Sequence, residues 1–227
     1  ARRCAAASSR IVTKSPPPND DTARPLNANP ALPVEAVLLT FRLSHAALAA
    51  VDSLLSALEA DELCRYLAVV ALDADDDTSE ASRAALQTLF TEKHRAEQLA
   101  VLTNDEKQGA FPICVAWDRM AAEAWRRGAS WAMLLGDDVT LVDCACHYQL
   151  FYEAFATIQR RLSLAEDTFF GCPYWNDLSF PNFPTFPVVG SAHRDVFGCE
   201  GLVPQVHAGR FVNQDLDPYL QRLYLAL

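Results

Sequence analysis

Hydrophobic positions along this chain follow two rhythms. Short unbroken apolar runs occur at Ala36-Val-Leu-Leu-Thr-Phe41, Tyr66-Leu-Ala-Val-Val-Ala-Leu72, Leu99-Ala-Val-Leu102 and Trp131-Ala-Met-Leu-Leu135. Each has the length and continuity of a strand buried on both faces, as in a parallel sheet. Between them the apolar residues recur every three or four positions. Val51, Leu54, Leu55 and Leu58 make one helical stripe behind Ser44 as its N-cap. Leu86, Leu89 and Phe90 make a second, opened by Asp77 and Glu80 at capping-box spacing. Trp117, Met120, Ala121 and Ala124 make a third over 114–127, with Gly128 as its stop.

After the fourth run the pattern changes. Phe151, Ala154, Phe155, Ile158 and Leu162 predict a long helix over about 144–162. Residues from Phe169 to Pro187 are aromatic and proline-rich and read as irregular, with Val188 and Val189 opening a further strand. Asp217-Pro218 is a good start for a final helix.

Strand and helix alternate up to residue 135. This order predicts an α/β domain: an open, mostly parallel sheet with helices on both faces. Residues 1–33, with Ser15-Pro-Pro-Pro-Asn-Asp-Asp21 and further prolines at 25, 30 and 33, read as a disordered or extended linker or stem ahead of a domain over 34–227. The opening Ala and the closing apolar run make both ends read as cut. Ligands of open α/β sheets bind beyond the carboxyl ends of the strands. Those ends fall here at Phe41–Ser44, Asp73–Asp77 and Gly136–Asp138, and all three are polar.

Charge narrows the ligand. The formal net charge is -10 over 227 residues, which repels nucleic-acid backbones. A protein this acidic needs a cation to hold a diphosphate. Asp137 and Asp138, adjacent carboxylates at a strand end, repel each other unless a cation or water shares them. Mg²⁺ or Mn²⁺ held between such carboxylates and phosphate oxygens would do so; the alternative is a solvated turn or helix N-cap. The seven cysteines are odd in number and contain no CxxC pair, so a disulfide framework is not indicated and the compartment stays open. No stretch of about 20 apolar residues exists to span a membrane.

Leu134-Leu-Gly-Asp-Asp-Val139 resembles the carboxylate motif of GT-A glycosyltransferases, of the family 2-like nucleotide-diphospho-sugar type, with Gly136 where the usual pattern has an acid. The resemblance covers about 34–224 through short motifs in a fixed order. It implies a Rossmann-like GT-A fold and a metal-dependent, hexosyltransferase-like reaction, taken as inverting. The sugar would pass from a nucleotide diphosphate sugar to a hydroxyl of a glycan, protein or small-molecule acceptor. On this match Asp138 is the metal ligand and Asp137 lies near the sugar and ribose. Thr40 and Arg42 lie where the first strand meets the nucleotide, and Asp73 contacts base or ribose. Arg119 lies near the nucleotide, or is a surface charge on an exposed helix face.

Phe211-Val-Asn-Gln-Asp-Leu-Asp217 is similar to the family's downstream acidic motif, with Gln214 in place of the usual Glu. It implies Asp215 as the base that takes the acceptor proton; the alternative is a cap for the final helix. Trp175, Asn176 and Asp177 are the acceptor-site candidates, set against a role as anchors for a long loop. His193 and His207 lie between the two carboxylate motifs, where a late metal-binding His is conceivable and a structural one ordinary. The two departures from the motifs, Gly136 and Gln214, leave open a second reading: a non-catalytic relative that binds a nucleotide or sugar or serves as an interaction module.

Overall fold

The computed structural model describes residues 2–5, 33–40, 45–59, 65–73, 79–93, 96–104, 113–136, 139–142, 146–177, 184–204 and 216–226. The strands are β1 (Arg2–Ala5), β2 (Glu35–Thr40), β3 (Tyr66–Asp73), β4 (Leu99–Asn104), β5 (Trp131–Leu135), β6 (Val139–Val142), β7 (Tyr174–Asp177) and β8 (Pro184–Gly190). The helices are α1 (His45–Glu59), α2 (Ser79–Glu92), α3 (Ile113–Arg126), α4 (His147–Leu162), α5 (His193–Phe197) and α6 (Leu216–Leu225).

The strands form one sheet in the order β4-β3-β2-β5-β8-β7-β1-β6. The four apolar runs are its parallel half, β4-β3-β2-β5. β8 runs against β5, and β7 against β8. β1 runs against β7 and alongside β6. The chain is therefore α/β with a mostly parallel sheet, as the alternation of runs predicts.

Two departures concern short strands. Residues 2–5, read as linker, are β1, paired with β6 and β7. The proline-rich stretch read as irregular contains β7 and the start of β8, with a bulge at Tyr174 and Trp175. Prolines at 184 and 187 hide a strand from any reading by hydrophobic period, since proline cannot donate to a ladder and is tolerated only beside an irregularity or an edge.

Side-chain alternation sorts each apolar run between the two faces of the sheet. Val37, Leu39, Val70, Leu72, Trp131, Met133 and Leu135 meet residues of α1, α2 and α4 on one face. Ala36, Leu38, Val69, Ala71, Ala132 and Leu134 join residues of α3 and α6 on the other. Each fully buried Leu, Val or Met contributes about 1.5–3 kcal/mol relative to exposure. α3 ends as its sequence foretells. Gly128 sits at φ 85, its N–H donates to the Trp125 carbonyl (3.0 Å), and Ala129 N–H donates to the Ala124 carbonyl (3.0 Å). This paired closure is the Schellman arrangement, which favours glycine at the left-handed position.

The amino edge of the sheet is closed by polar bonds inside apolar surroundings. Glu35, the first residue of β2, is fully buried. It accepts from Trp131 Nε1–H (3.1 Å) and pairs with His147 Nε2 at 2.8 Å. Tyr148 O–H donates to the Pro33 carbonyl (2.6 Å). Trp131 packs against Tyr148, Phe155 and Phe169 with ring centroids 5.1, 5.6 and 5.4 Å away. The amino edge is thus a fixed floor of the sheet.

Candidate functional site

Register places the carboxyl ends of the parallel strands side by side. Leu39 pairs with Leu135, Thr40 with Ala71, and Asp73 with Asn104. Thr40 closes β2 and Asp73 closes β3, so both occupy this edge, where the apolar runs predict the strands to end. Gly136 follows β5 directly, and Val139 N–H donates to its carbonyl at 3.4 Å. Asp137 and Asp138 are the two residues between these partners and lie outside the described residues, as does Arg42.

After β8 the chain returns along the face of the sheet that α3 covers. β8 ends at Gly190 opposite Trp131, on the amino edge. His193 stacks there on Trp125, in the last turn of α3, with centroids 6.2 Å apart. The chain then passes up α3: Asp118, in its second turn, accepts from the N–H groups of Leu202 (2.5 Å) and Val203 (2.8 Å). α6 returns, because Tyr224 near its end lies 2.8 Å from His193 Nδ1 and packs on Phe170 at 5.3 Å. Ten residues of helix span about 15 Å. Leu216 opens α6 and is buried in the core that also holds Leu38, Leu134 and Trp117. Asp215 is the residue before Leu216 and lies outside the described residues.

Arg119 is exposed on α3 and donates from Nη2 to the Thr103 carbonyl at 3.3 Å, so it stands at the end of β4. A second arginine, which sequence reading passed over, meets the same residue: Arg83 Nη2 donates to Thr103 Oγ1 at 2.7 Å. Arg83 carries no motif and belongs to a helix read for its apolar stripe and its capping box; only the fold brings it to Thr103.

Trp175 is a correction to the acceptor-site expectation. Its side chain is fully buried, its indole N–H donates to Met133 Sδ (2.7 Å), and its ring meets His147 at 6.1 Å and Phe151 at 5.1 Å. It is an anchor for β7 and has no face open to a sugar. Asn176 and Asp177 end β7 beside β1, and their side chains are outside the description.

His193 is likewise structural. Nε2–H donates to the Leu202 carbonyl (3.0 Å), which leaves Nδ1 to accept from the Tyr224 hydroxyl (2.8 Å). Burial pushes its pKa down to about 4. Both ring nitrogens are committed, so it is no metal ligand. His207 lies outside the described residues. Asp118, also passed over in the sequence, has its carboxyl pKa raised, chiefly by burial, against the lowering effect of the two backbone N–H donors. Gly201 lies so close to Asp118 that an added Cβ would fall 2.3 Å from Oδ1. Asp118 therefore clamps the 201–203 loop. Burial also pushes the Cys199 thiol up to about 11, with the Asp118 charge adding to it.

Among the described residues no group of three or more His, Cys, Asp or Glu side chains could hold a metal ion. None of their helices is long and apolar enough to cross a membrane. A scan against protein-family models finds no match, and a search of curated proteins finds none either.

Proposed function

We propose that this chain is a GT-A type glycosyltransferase that moves a sugar from a nucleotide diphosphate sugar to an acceptor hydroxyl. The observation that carries the reading is the convergence at one sheet edge. The ends of β2, β3 and β5 lie in register there. In doubly wound sheets the ligand crevice opens where neighbouring crossovers leave in opposite directions. In the order β4-β3-β2-β5 this point falls between β2 and β5, beside Thr40 and Gly136.

Adjacent carboxylates next to a glycine form a donor set that suits Mn²⁺ or Mg²⁺. In this reading Asp138 holds the cation and Asp137 orients the donor sugar. A cation bound there supplies neutralisation of the negative charge on the departing nucleoside diphosphate. Asp215 takes the proton of the acceptor hydroxyl. The acceptor oxygen bonds to the anomeric carbon as the bond from that carbon to the phosphate oxygen breaks. Asp73 serves the base or ribose, and Thr40, Arg42 and Arg119 line the nucleotide. With Trp175 in the core, acceptor recognition rests on Asn176, Asp177 and the surface around them.

Thermal shift of the full chain against nucleotide sugars, with and without Mn²⁺, tests the reading. At a hundredfold excess over Kd a ligand adds about 2.7 kcal/mol, a rise in Tm of about 5–10 °C for a domain of this size. The rise should require Mn²⁺ and vanish in D138N. D215N should keep the binding and lose most of the transfer. A wild-type chain that binds donor but neither transfers nor hydrolyses it belongs to the second reading, a binding module, which Gly136 and Gln214 favour. No response to any donor defeats both.

A further inference from the structure

We infer that a cleft at the amino edge of the sheet docks an extended acidic segment of a partner polypeptide. The cleft encloses about 730 Å³, within the range of sites that hold ligands, about 300–1,000 Å³. Buried Tyr66 and Leu67 give it an apolar floor, and Gln98, Arg65, Arg126 and Arg127 line its sides. It therefore spans the starts of β3 and β4 and the end of α3. The eight residues of β3, about 26 Å of strand, separate it from the carboxyl edge. Docking there leaves the candidate donor site clear and does not depend on the transferase reading.

Charge sets this cleft apart. The chain has 19 Lys and Arg against 29 Asp and Glu, yet three arginines line the cleft, and among the described residues Glu97 is the one acid that does. Basic residues in a last helical turn are ordinary, since they meet the negative end of the helix dipole. That accounts for Arg126 and Arg127 at the end of α3 but not for Arg65, which arrives ahead of β3. The two helix-end guanidiniums are also held in place. Glu123, one turn back on α3, accepts from Arg126 Nε (2.7 Å) and Nη2 (2.6 Å) and from Arg127 Nε (2.7 Å). Its side chain is 14% exposed, against 68% for Arg126 and 36% for Arg127, so it sits beneath both forks. Arg127 Nη1 donates in addition to the Leu99 carbonyl at 3.4 Å. Arg126 Nη1 and Arg127 Nη2 have no partner among the described residues. One glutamate against two arginines leaves a positive pair, and the ordering cost of both long side chains is met before a partner arrives. Carboxylates match such forks, accepting parallel N–H bonds.

Shape selects a polypeptide. The arginines line a concave cleft over an apolar floor, which admits an extended chain, whereas a bilayer presents a flat anionic plane. A nucleic-acid backbone is repelled by the net charge of -10. Glu97 opposes a uniformly acidic chain, so the segment that fits alternates acidic residues with neutral ones.

Fluorescence anisotropy tests this, with the full chain titrated into a labelled peptide of alternating Glu and Ala, about ten residues or 33 Å when extended. The peptide should bind, and its Gln-for-Glu counterpart should bind at least about tenfold more weakly. R126Q/R127Q should lose about tenfold or more, while R160Q/R161Q, which removes the same charge from the last turn of α4, should lose less than about twofold. R126Q alters a side chain 68% exposed and carries the test alone if the double variant fails to fold. Equal losses in the two double variants overturn the inference, because net charge would then drive binding. So does equal affinity for the Glu and Gln peptides, or no binding at about 1 mM protein. Co-sedimentation with phosphatidylserine vesicles that requires Arg126 and Arg127, without binding of the peptide, assigns the cleft to a membrane and overturns it as well.

Discussion

A single imidazole makes the stability of this protein depend on pH. His193 has no contact with solvent, and its pKa is pushed down to about 4 from an ordinary 6.5. Between those values the unfolded chain binds a proton that the folded chain refuses. Stability therefore rises with pH through this window, is complete above about 6.5, and is lost as pH falls toward 4. The full gap corresponds to about 3 kcal/mol. The urea midpoint of wild type should fall between pH 6.5 and 4.5. His193→Gln, which can supply one donor and one acceptor in the same place, should show a flatter profile over that range. Parallel profiles for the two proteins would mean that the imidazole is not held neutral.

At the scale of elements, termini matter more than propensity. α4 ends with Ser163 in the left-handed region at φ 54. Ser163 N–H donates to the Arg160 carbonyl, and Leu164 N–H donates to the Gln159 carbonyl. This closure has the same form as that of α3 but places a serine where α3 has Gly128. A side chain at positive φ costs of order 1 kcal/mol that glycine does not incur. Ser163→Gly should accordingly raise stability by about 0.5–1 kcal/mol, read as a rise in urea midpoint without a change in m-value. The elements legible in sequence were those with a continuous apolar run or a full helical stripe, β2 to β5 and α1 to α4. β1, β6 and β7 have four residues each, too few for a period to declare itself. β7 owes its place to Trp175, whose aromatic character reads equally as ligand platform or core. The carboxyl ends of β2, β3 and β5 were legible because continuous apolar runs set where those strands stop. Arg83 and Asp118 were not, because their partners are 20 and 84 residues away.

On the scale of the whole molecule, Glu35 joins three elements: β2 carries it, β5 donates Trp131, and α4 supplies His147. Removing a buried carboxylate with two such partners leaves both stranded, at a cost of about 3 kcal/mol or more. Glu35→Ala should show this in urea unfolding, whereas Glu35→Gln, which keeps an acceptor, should lose less. Equal losses would mean that shape rather than hydrogen bonding holds the floor of the sheet. The late return of α6 has a consequence for synthesis. Leu216 and Leu220 complete the face to which Leu38 and Leu134 belong, yet the ribosome emits Leu216 long after Leu135, roughly 4–16 s later at ordinary elongation rates. For that interval the part of this face that α3 leaves to α6 stays bare, and yield in a foreign host will depend on chaperone supply and growth temperature.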